Sequence, residues 1–81
     1  MNAYVSQAII FLREYVADDI QDIDEQSHLI ADLGLNSLQL VELVNDAEVE
    51  FDITIDDDEL DSILTVRDVA ELLKKKGALA E

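Results

Sequence analysis

The chain has 81 residues, no cysteine, and 20 acidic against 5 basic side chains, which gives a formal net charge of −15. This length predicts one small domain over residues 1–81, and the lack of cysteine excludes a disulfide scaffold and a Cys-based zinc site. The negative charge disfavours nucleic acid as a partner, and no apolar run approaches the roughly 20 residues of a membrane span. We therefore expect a cytoplasmic monomer whose acidic surface attracts basic patches on protein partners.

The first predicted helix covers about residues 3–17. Its apolar side chains recur at spacings of three and four, which is typical of a helix with one buried stripe. The residues of this stripe are Val5, Ala8, Ile9, Leu12, Tyr15 and Val16.

Residues 18–36 lose this periodicity and predict a long ordered loop, which in so small a domain usually carries function. The apolar residues expected to attach it to the core are Ile20, Ile23, Leu29, Ile30, Leu33 and Leu35. No alignment of these acidic residues matches the calcium-loop pattern, so no metal site is predicted. Loose binding of divalent cations stays open as an alternative. His28 lacks the neighbours that catalysis would need, and we expect it to be a surface or half-buried loop side chain.

The second helix is predicted to begin at Asn36 and Ser37, after a turn at Gly34. Glycine adopts backbone angles that other residues disfavour, and Asn is a preferred N-cap. Ser37 then lies exposed at the positive end of a helix dipole, where an attached phosphate would be favoured.

This second helix, at about 37–50, carries two separate faces. The face expected in the core consists of Leu40, Leu43, Val44, Ala47 and Phe51. From residue 36 to residue 61 the chain has ten acidic side chains and no basic one, which is most simply a solvated surface. Exposed apolar residues among these acids nevertheless favour a docking surface with an apolar centre and an acidic rim. Its predicted partner-binding residues are Leu38, Glu42, Asn45, Glu48, Val49 and Asp57.

The remaining residues predict an extended link and two further helices. Residues 51–55 alternate like a strand, but a lone strand has no partner, so a link is preferred. Asp56 and Glu59 have capping-box spacing, which predicts a short helix at about 57–62. Thr65 caps a fourth helix at about 66–76, which Gly77 ends, and residues 78–81 form a frayed tail.

Together these elements predict an all-α fold, a small antiparallel four-helix bundle of three main helices and one short helix. A long loop joins the first two helices. The sequence has no nucleophile elbow, no Gly-rich phosphate loop and no cluster of metal ligands. We therefore predict that the protein is not an enzyme and has no catalytic residues.

The run Asp-Leu-Gly-Leu-Asn-Ser-Leu-Gln-Leu-Val-Glu-Leu-Val, which begins at Asp32, resembles the attachment motif of acyl carrier proteins. The resemblance extends to residues 51–55 and 65–69, and so covers nearly the whole chain. It implies the bundle of acyl-carrier-protein type, with a phosphopantetheine arm on Ser37, between Asn36 and Leu38. The thiol of this arm would hold an acyl group as a thioester. The implied partners are a phosphopantetheinyl transferase and acyl-transferring and chain-modifying enzymes with basic docking patches.

The match departs at Asn36, where the family usually has Asp. Asn can cap the helix, but it lacks the carboxylate that the transferase and its Mg²⁺ would meet, which bears on the efficiency of modification. Leu35 replaces the second Gly of peptidyl carriers, which favours acyl cargo in fatty-acid, polyketide or related lipid biosynthesis. The alternatives are a specialised aminoacyl, D-alanyl or peptidyl carrier, and an acidic helical interaction module that is never modified.

Overall fold

A computed structural model of the chain describes residues 3–20 and 22–77. These residues form four helices: α1 (Ala3–Leu12), α2 (Ser37–Phe51), α3 (Asp57–Leu60) and α4 (Val66–Lys75). The predicted all-α fold of three main helices and one short helix is confirmed, and α1 packs along α4. The predicted tail of residues 78–81 lies outside the described residues.

The core is built from the apolar faces of the three longer helices and from leucines of the long loop. Leu29, Leu33 and Leu35 are at most 2% exposed, so the loop is part of the core rather than a cover over it. Ile30 is 46% exposed, and its predicted attachment to the core is therefore wrong. Residues 29–33 form a turn in which Leu29 and Leu33, four positions apart, share the inner side and Ile30 lies on the outer side.

Helix α1 ends at Leu12, well before the predicted residue 17. Beyond it the backbone N–H groups of Glu14 and Tyr15 bond to carbonyls three residues earlier, at 3.4 and 2.9 Å, so the helix tightens into separate turns. The side chain of Arg13 donates to the carbonyl of Ile20, which draws the chain into the loop. Val16 stays buried although it is no longer helical, which explains why the apolar periodicity continued past the true end.

Helix α2 ends one residue beyond the predicted boundary, at Phe51. Asp52 follows with φ 55° and ψ 52°, a left-handed conformation that Asp tolerates better than most residues. The N–H groups of Asp52 and Ile53 both donate to the carbonyl of Glu48, which closes the helix end. Residues 53–56 have no regular secondary structure and lead to α3, so the link predicted at residues 51–55 begins two residues later than expected.

Helices α3 and α4 begin at their predicted caps. Glu59 accepts the backbone N–H of Asp56 at 3.0 Å, and α3 ends at Leu60 rather than at residue 62 because the chain continues as a turn. Thr65 Oγ1 accepts the N–H of Asp68 at 3.3 Å, and Asp68 in return accepts the N–H of Thr65 at 3.0 Å. Helix α4 ends at Lys75, one residue before the predicted boundary, and Gly77 follows Lys76 with φ 65°.

Two distant loops are joined by backbone hydrogen bonds, and we call residues 25–29 and 64–67 the loop bridge. The N–H of Leu29 donates to the carbonyl of Leu64 at 2.9 Å, and the N–H of Val66 donates to the carbonyl of Ser27 at 3.0 Å. An isolated antiparallel bridge between His28 and Thr65 lies between these bonds. The loop bridge fixes the long loop to the start of α4. The bonded part of this loop lies shortly before the first residue of α2.

Candidate functional site

Ser37 is the first residue of α2, and its side chain is exposed. The chain reaches it through a turn at Gly34, whose φ of 76° would strain any residue with a side chain. On either side of this glycine, Leu33 and Leu35 are buried, and the N–H of Leu35 donates to the carbonyl of Leu29 at 3.1 Å. The buried leucines thus anchor the turn, which leaves Ser37 at the surface.

Asn36 caps α2, as predicted, through a reciprocal pair of hydrogen bonds. Its Oδ1 accepts the backbone N–H of Gln39 at 2.8 Å, and Gln39 Oε1 accepts the backbone N–H of Asn36 at 3.0 Å. The sequence predicted the cap at Asn36 but not the return hydrogen bond to Gln39. The amide of Asn36 therefore performs the structural role of a cap without a negative charge beside Ser37.

The first turn of α2 leaves backbone donors beside the Ser37 hydroxyl. Within residues 3–20 and 22–77, the N–H groups of Ser37 and Leu38 have no hydrogen-bond partner, whereas those of Gln39 and Leu40 are bound to Asn36. Free N–H groups at the positive end of a helix dipole favour an anionic group. A phosphate ester on Ser37 fits this position.

An apolar cleft of about 280 Å³ opens beside Ser37. Its apolar lining consists of Leu29, Ile30, Leu40, Val41, Leu60, Ile63 and Leu64, and its polar lining of His28, Ser37 and Asp61. Leu29 and Ile63 are buried, whereas Val41 and Leu64 are 46% and 53% exposed, so the cleft has a closed floor and an open mouth. An alkyl chain joined to the serine through a flexible arm could bury its carbons here.

The cleft was not predicted from the sequence, because its walls come from three separate segments of the chain, at residues 28–30, 37–41 and 60–64. Leu40 had been predicted in the core, but it is half-buried and forms part of one wall. One signal was available: Val41 and Leu64 are apolar at positions that the helical periodicity does not assign to the core. Apolar residues at such positions near a candidate attachment site indicate a surface that something else covers.

His28 is a half-buried loop residue, as predicted, and its side chain caps the turn at residues 29–33. Its Nδ1 accepts the backbone N–H groups of Ile30 at 3.2 Å and Ala31 at 3.1 Å. Its own backbone N–H donates to Asp32 Oδ2 at 2.7 Å. The imidazole therefore organises the segment that leads to Ser37.

The outer face of α2 brings together four of the residues predicted to bind partners. Leu38 and Val49 are 67% and 84% exposed, and Glu42 and Asn45 are exposed between them. We call these four residues the outer face. Apolar side chains that stand this far out of a domain, beside acidic ones, are suited to contact a partner.

The two other predicted partner-binding residues lie apart from the outer face. Asp57 is exposed at the start of α3. Glu48 is half-buried, and its Oε2 accepts the N–H of Ile55 at 2.9 Å, so this carboxylate holds the link between α2 and α3. Its internal hydrogen bond makes Glu48 less available to a partner than Glu42.

The described part of the chain contains neither a cluster of metal ligands nor a helix suited to span a membrane. No group of three or more His, Asp or Glu side chains in this part of the chain is placed to hold a metal ion. None of its helices is both long enough and apolar enough to cross a membrane.

Comparison with known proteins gives consistent matches. The family described as "Phosphopantetheine attachment site" matches residues 11–73. An acyl carrier protein of Desulforapulum autotrophicum is 47% identical over 59 residues, which cover 73% of this chain and 77% of that protein. An acyl carrier protein of Thermotoga maritima is 42% identical over 65 residues, which cover 80% of each. A crystal structure of an acyl carrier protein from Thermotoga maritima matches with a TM-score of 0.71 and 28% identity, covering 89% of this chain and 84% of that one.

Proposed function

The chain belongs to the acyl carrier protein family, and on that basis we propose that Ser37 is the residue that bears its phosphopantetheine arm. The supporting observation is that Ser37 is exposed at the first position of the 15-residue helix α2, beside two free backbone N–H groups and an apolar cleft. Ser27 is only 8% exposed, and its hydroxyl is bonded to Asp24. Ser62 is exposed, but it follows the four-residue helix α3.

The chain's own residues provide three things in this proposal. The Asn36–Gln39 capping box holds Ser37 facing outward, and the N–H groups of Ser37 and Leu38 favour the phosphate. The cleft removes the carbons of an acyl group from water, at up to ~0.8 kcal/mol per CH₂. The arm supplies a thiol that holds acyl groups as thioesters.

The proposed partners are enzymes that load, modify or unload the arm, and the chain itself acts as a carrier rather than as a catalyst. Leu38 and Val49 provide apolar contacts on the outer face, while Glu42 attracts basic side chains of the partner. The first such partner is a phosphopantetheinyl transferase. Later partners are acyl-transferring and chain-modifying enzymes of fatty-acid or related lipid biosynthesis in the cytoplasm.

The test is the intact mass of the protein after incubation with coenzyme A, Mg²⁺ and a broad-specificity phosphopantetheinyl transferase. We expect an increase of about 340 Da, since the serine hydroxyl displaces the nucleotide half of coenzyme A. Ser37→Ala should abolish the increase, whereas Ser62→Ala, which removes another exposed hydroxyl, should retain it. An unmodified wild type, or a loaded Ser37→Ala variant, would contradict the proposal and favour an interaction module or another attachment residue.

A further inference from the structure

We propose that His28 makes the cleft selective for acyl chains that carry an oxygen substituent, such as a hydroxyl or a ketone, over saturated chains. This inference rests on the proposed function, because the chain must reach the cleft from an arm on Ser37. It assigns a role to the one histidine of the sequence.

The hydrogen bonds of His28 determine which ring nitrogen carries the proton. Nδ1 accepts two backbone N–H groups, at 3.1 and 3.2 Å, so it bears no hydrogen. The neutral imidazole must then carry its proton on Nε2. Within the part of the chain that the structure describes, this Nε2–H has no acceptor. His28 thus offers one uncommitted donor of fixed chemical identity.

The surroundings make such a donor selective. His28 lines the same cleft as Ser37, among seven aliphatic side chains. An oxygen on the acyl chain can accept the Nε2–H, whereas a saturated chain that fills the cleft would displace water from this donor and leave it unpaired. An unpaired polar group in an apolar site is costly, so the donor both favours oxygenated chains and disfavours saturated ones.

The other ionisable side chain of the lining, Asp61, does not provide the same function. Asp61 is exposed and lies in the turn after α3, so water remains available to its carboxylate. An ionised carboxylate is only an acceptor, and would repel a ketone oxygen rather than bind it. The selectivity for both hydroxyl and ketone groups therefore falls to His28.

The test compares wild type and His28→Ser, each carrying an octanoyl or a 3-hydroxyoctanoyl arm. Serine keeps an oxygen that can cap the turn at residues 29–33, but it lacks the second ring nitrogen. The readout is the rate at which hydroxylamine cleaves each thioester, because a sequestered chain protects it. For each protein we take the ratio of the octanoyl cleavage rate to the 3-hydroxyoctanoyl cleavage rate. We expect this ratio to be about fivefold higher in wild type than in His28→Ser, as one ordinary hydrogen bond would give.

A second measurement on the unmutated protein guards against a variant that folds poorly. The ¹⁵N resonance of His28 Nε2 should shift on loading the 3-hydroxyoctanoyl arm and not on loading the octanoyl arm, while Nδ1 stays unprotonated in both. Equal effects of both chains on this resonance, or equal cleavage ratios in variant and wild type, would overturn the inference. Loading is followed by intact mass throughout, so failure of attachment at Ser37 is recognised separately from failure of selectivity.

Discussion

The side-chain nitrogen of Lys76 lies 2.9 Å from Oε1 of Glu59, which joins the end of α4 directly to α3. Lys75 Nζ lies 3.1 Å from the other oxygen, and the backbone N–H of Asp56 also donates to this carboxylate. A helix of four residues is not stable by itself, so contacts of this kind must hold it. Glu59 is thus the side chain that fastens α3, and with it Leu60 in the wall of the cleft.

We predict that Glu59→Gln lowers the melting temperature at neutral pH. The pKa of Glu59 is lowered from 4.5 to about 2, chiefly by the Asp56 N–H and then by Lys76 and Lys75. Because the folded-state pKa is depressed, the ionised group stabilises the fold above pH 4.5, and this contribution disappears as the pH falls from 4.5 towards 2. In thermal melts, the difference in melting temperature between wild type and Glu59→Gln should therefore become smaller as the pH falls from 4.5 towards 2.

The control for this prediction is Glu50→Gln, which removes an exposed carboxylate with no ion pair among the described residues. It should change the melting temperature little at any pH. A gap between wild type and Glu59→Gln that stayed constant down to pH 2 would show that the ionised form is not what stabilises α3.

Tyr15→Phe is predicted to destabilise the protein by about 1 kcal/mol, the usual value of one hydrogen bond. The hydroxyl of Tyr15 donates to the carboxylate of Asp46, and its ring packs against that of Phe11 in a tilted arrangement, with centroids 5.6 Å apart and an interplanar angle of 57°. The variant keeps this ring contact and loses only the hydrogen bond between the turn after α1 and helix α2. Tyr4→Phe is the matched control, since the Tyr4 hydroxyl has no partner in the described part of the chain.

The same hydrogen bond predicts how Tyr15 titrates. Burial, and then the hydrogen bond and charge of Asp46, raise the pKa of Tyr15 well above its ordinary value of 10.0. The stabilisation is therefore complete below pH 10 and is lost progressively as the pH rises from 10 through the folded-state value. Phenolate absorbance that is present in wild type and absent in Tyr15→Phe should develop well above pH 10; its appearance at pH 10 would contradict the Tyr15–Asp46 bond.

Substitutions at Asn36 are predicted to separate capping from modification. Asn36→Ala should cost about 1 kcal/mol in unfolding free energy, because Gln39 loses the acceptor for its N–H. Asn36→Asp keeps that acceptor and places a carboxylate at the positive end of the helix dipole, so stability should be equal or slightly higher. In the mass assay with coenzyme A, Asn36→Asp should be loaded faster than wild type if the transferase and its Mg²⁺ use this carboxylate. Equal loading rates would show that the Asn36 amide serves the transferase as well as a carboxylate at this position.

The length of the acyl chain is predicted to control thermal stability. Each additional CH₂ buried in the cleft adds up to ~0.8 kcal/mol, less any cost of moving α3, so the melting temperature should rise from acetyl to octanoyl. It should level off when the chain outgrows the cleft of about 280 Å³. The protein with an unacylated arm is the control, and a melting temperature independent of chain length would show that the chain stays in solvent.

The caps and the two faces of α2 could be predicted from sequence because they depend on neighbouring residues. Asn36 and Thr65 are caps through hydrogen bonds to residues three positions away. Leu38 and Val49 could be assigned to the surface because the spacing of the buried Leu43 and Ala47 determines which side faces inward. In each case the information lies within one or two helical turns.

The cleft and the loop bridge could not be predicted because they join residues that are far apart in sequence. Leu29 meets Leu64 only because the loop folds back against the start of α4, and periodicity contains no information on that pairing. The end of α1 was missed for a related reason. Val16 remains buried outside the helix, so the apolar pattern there reports burial rather than helical structure.

The loop bridge also distinguishes a part of the molecule that main-chain hydrogen bonds hold from a part that side chains hold. Main-chain bonds hold the segment ahead of Ser37, while α3 depends on side chains such as Glu59 and Glu48. Widening the cleft by displacing α3 would thus leave the serine where it was. An enzyme that binds α2 would find the Ser37 hydroxyl in the same position whether the acyl chain is short, long or not yet attached.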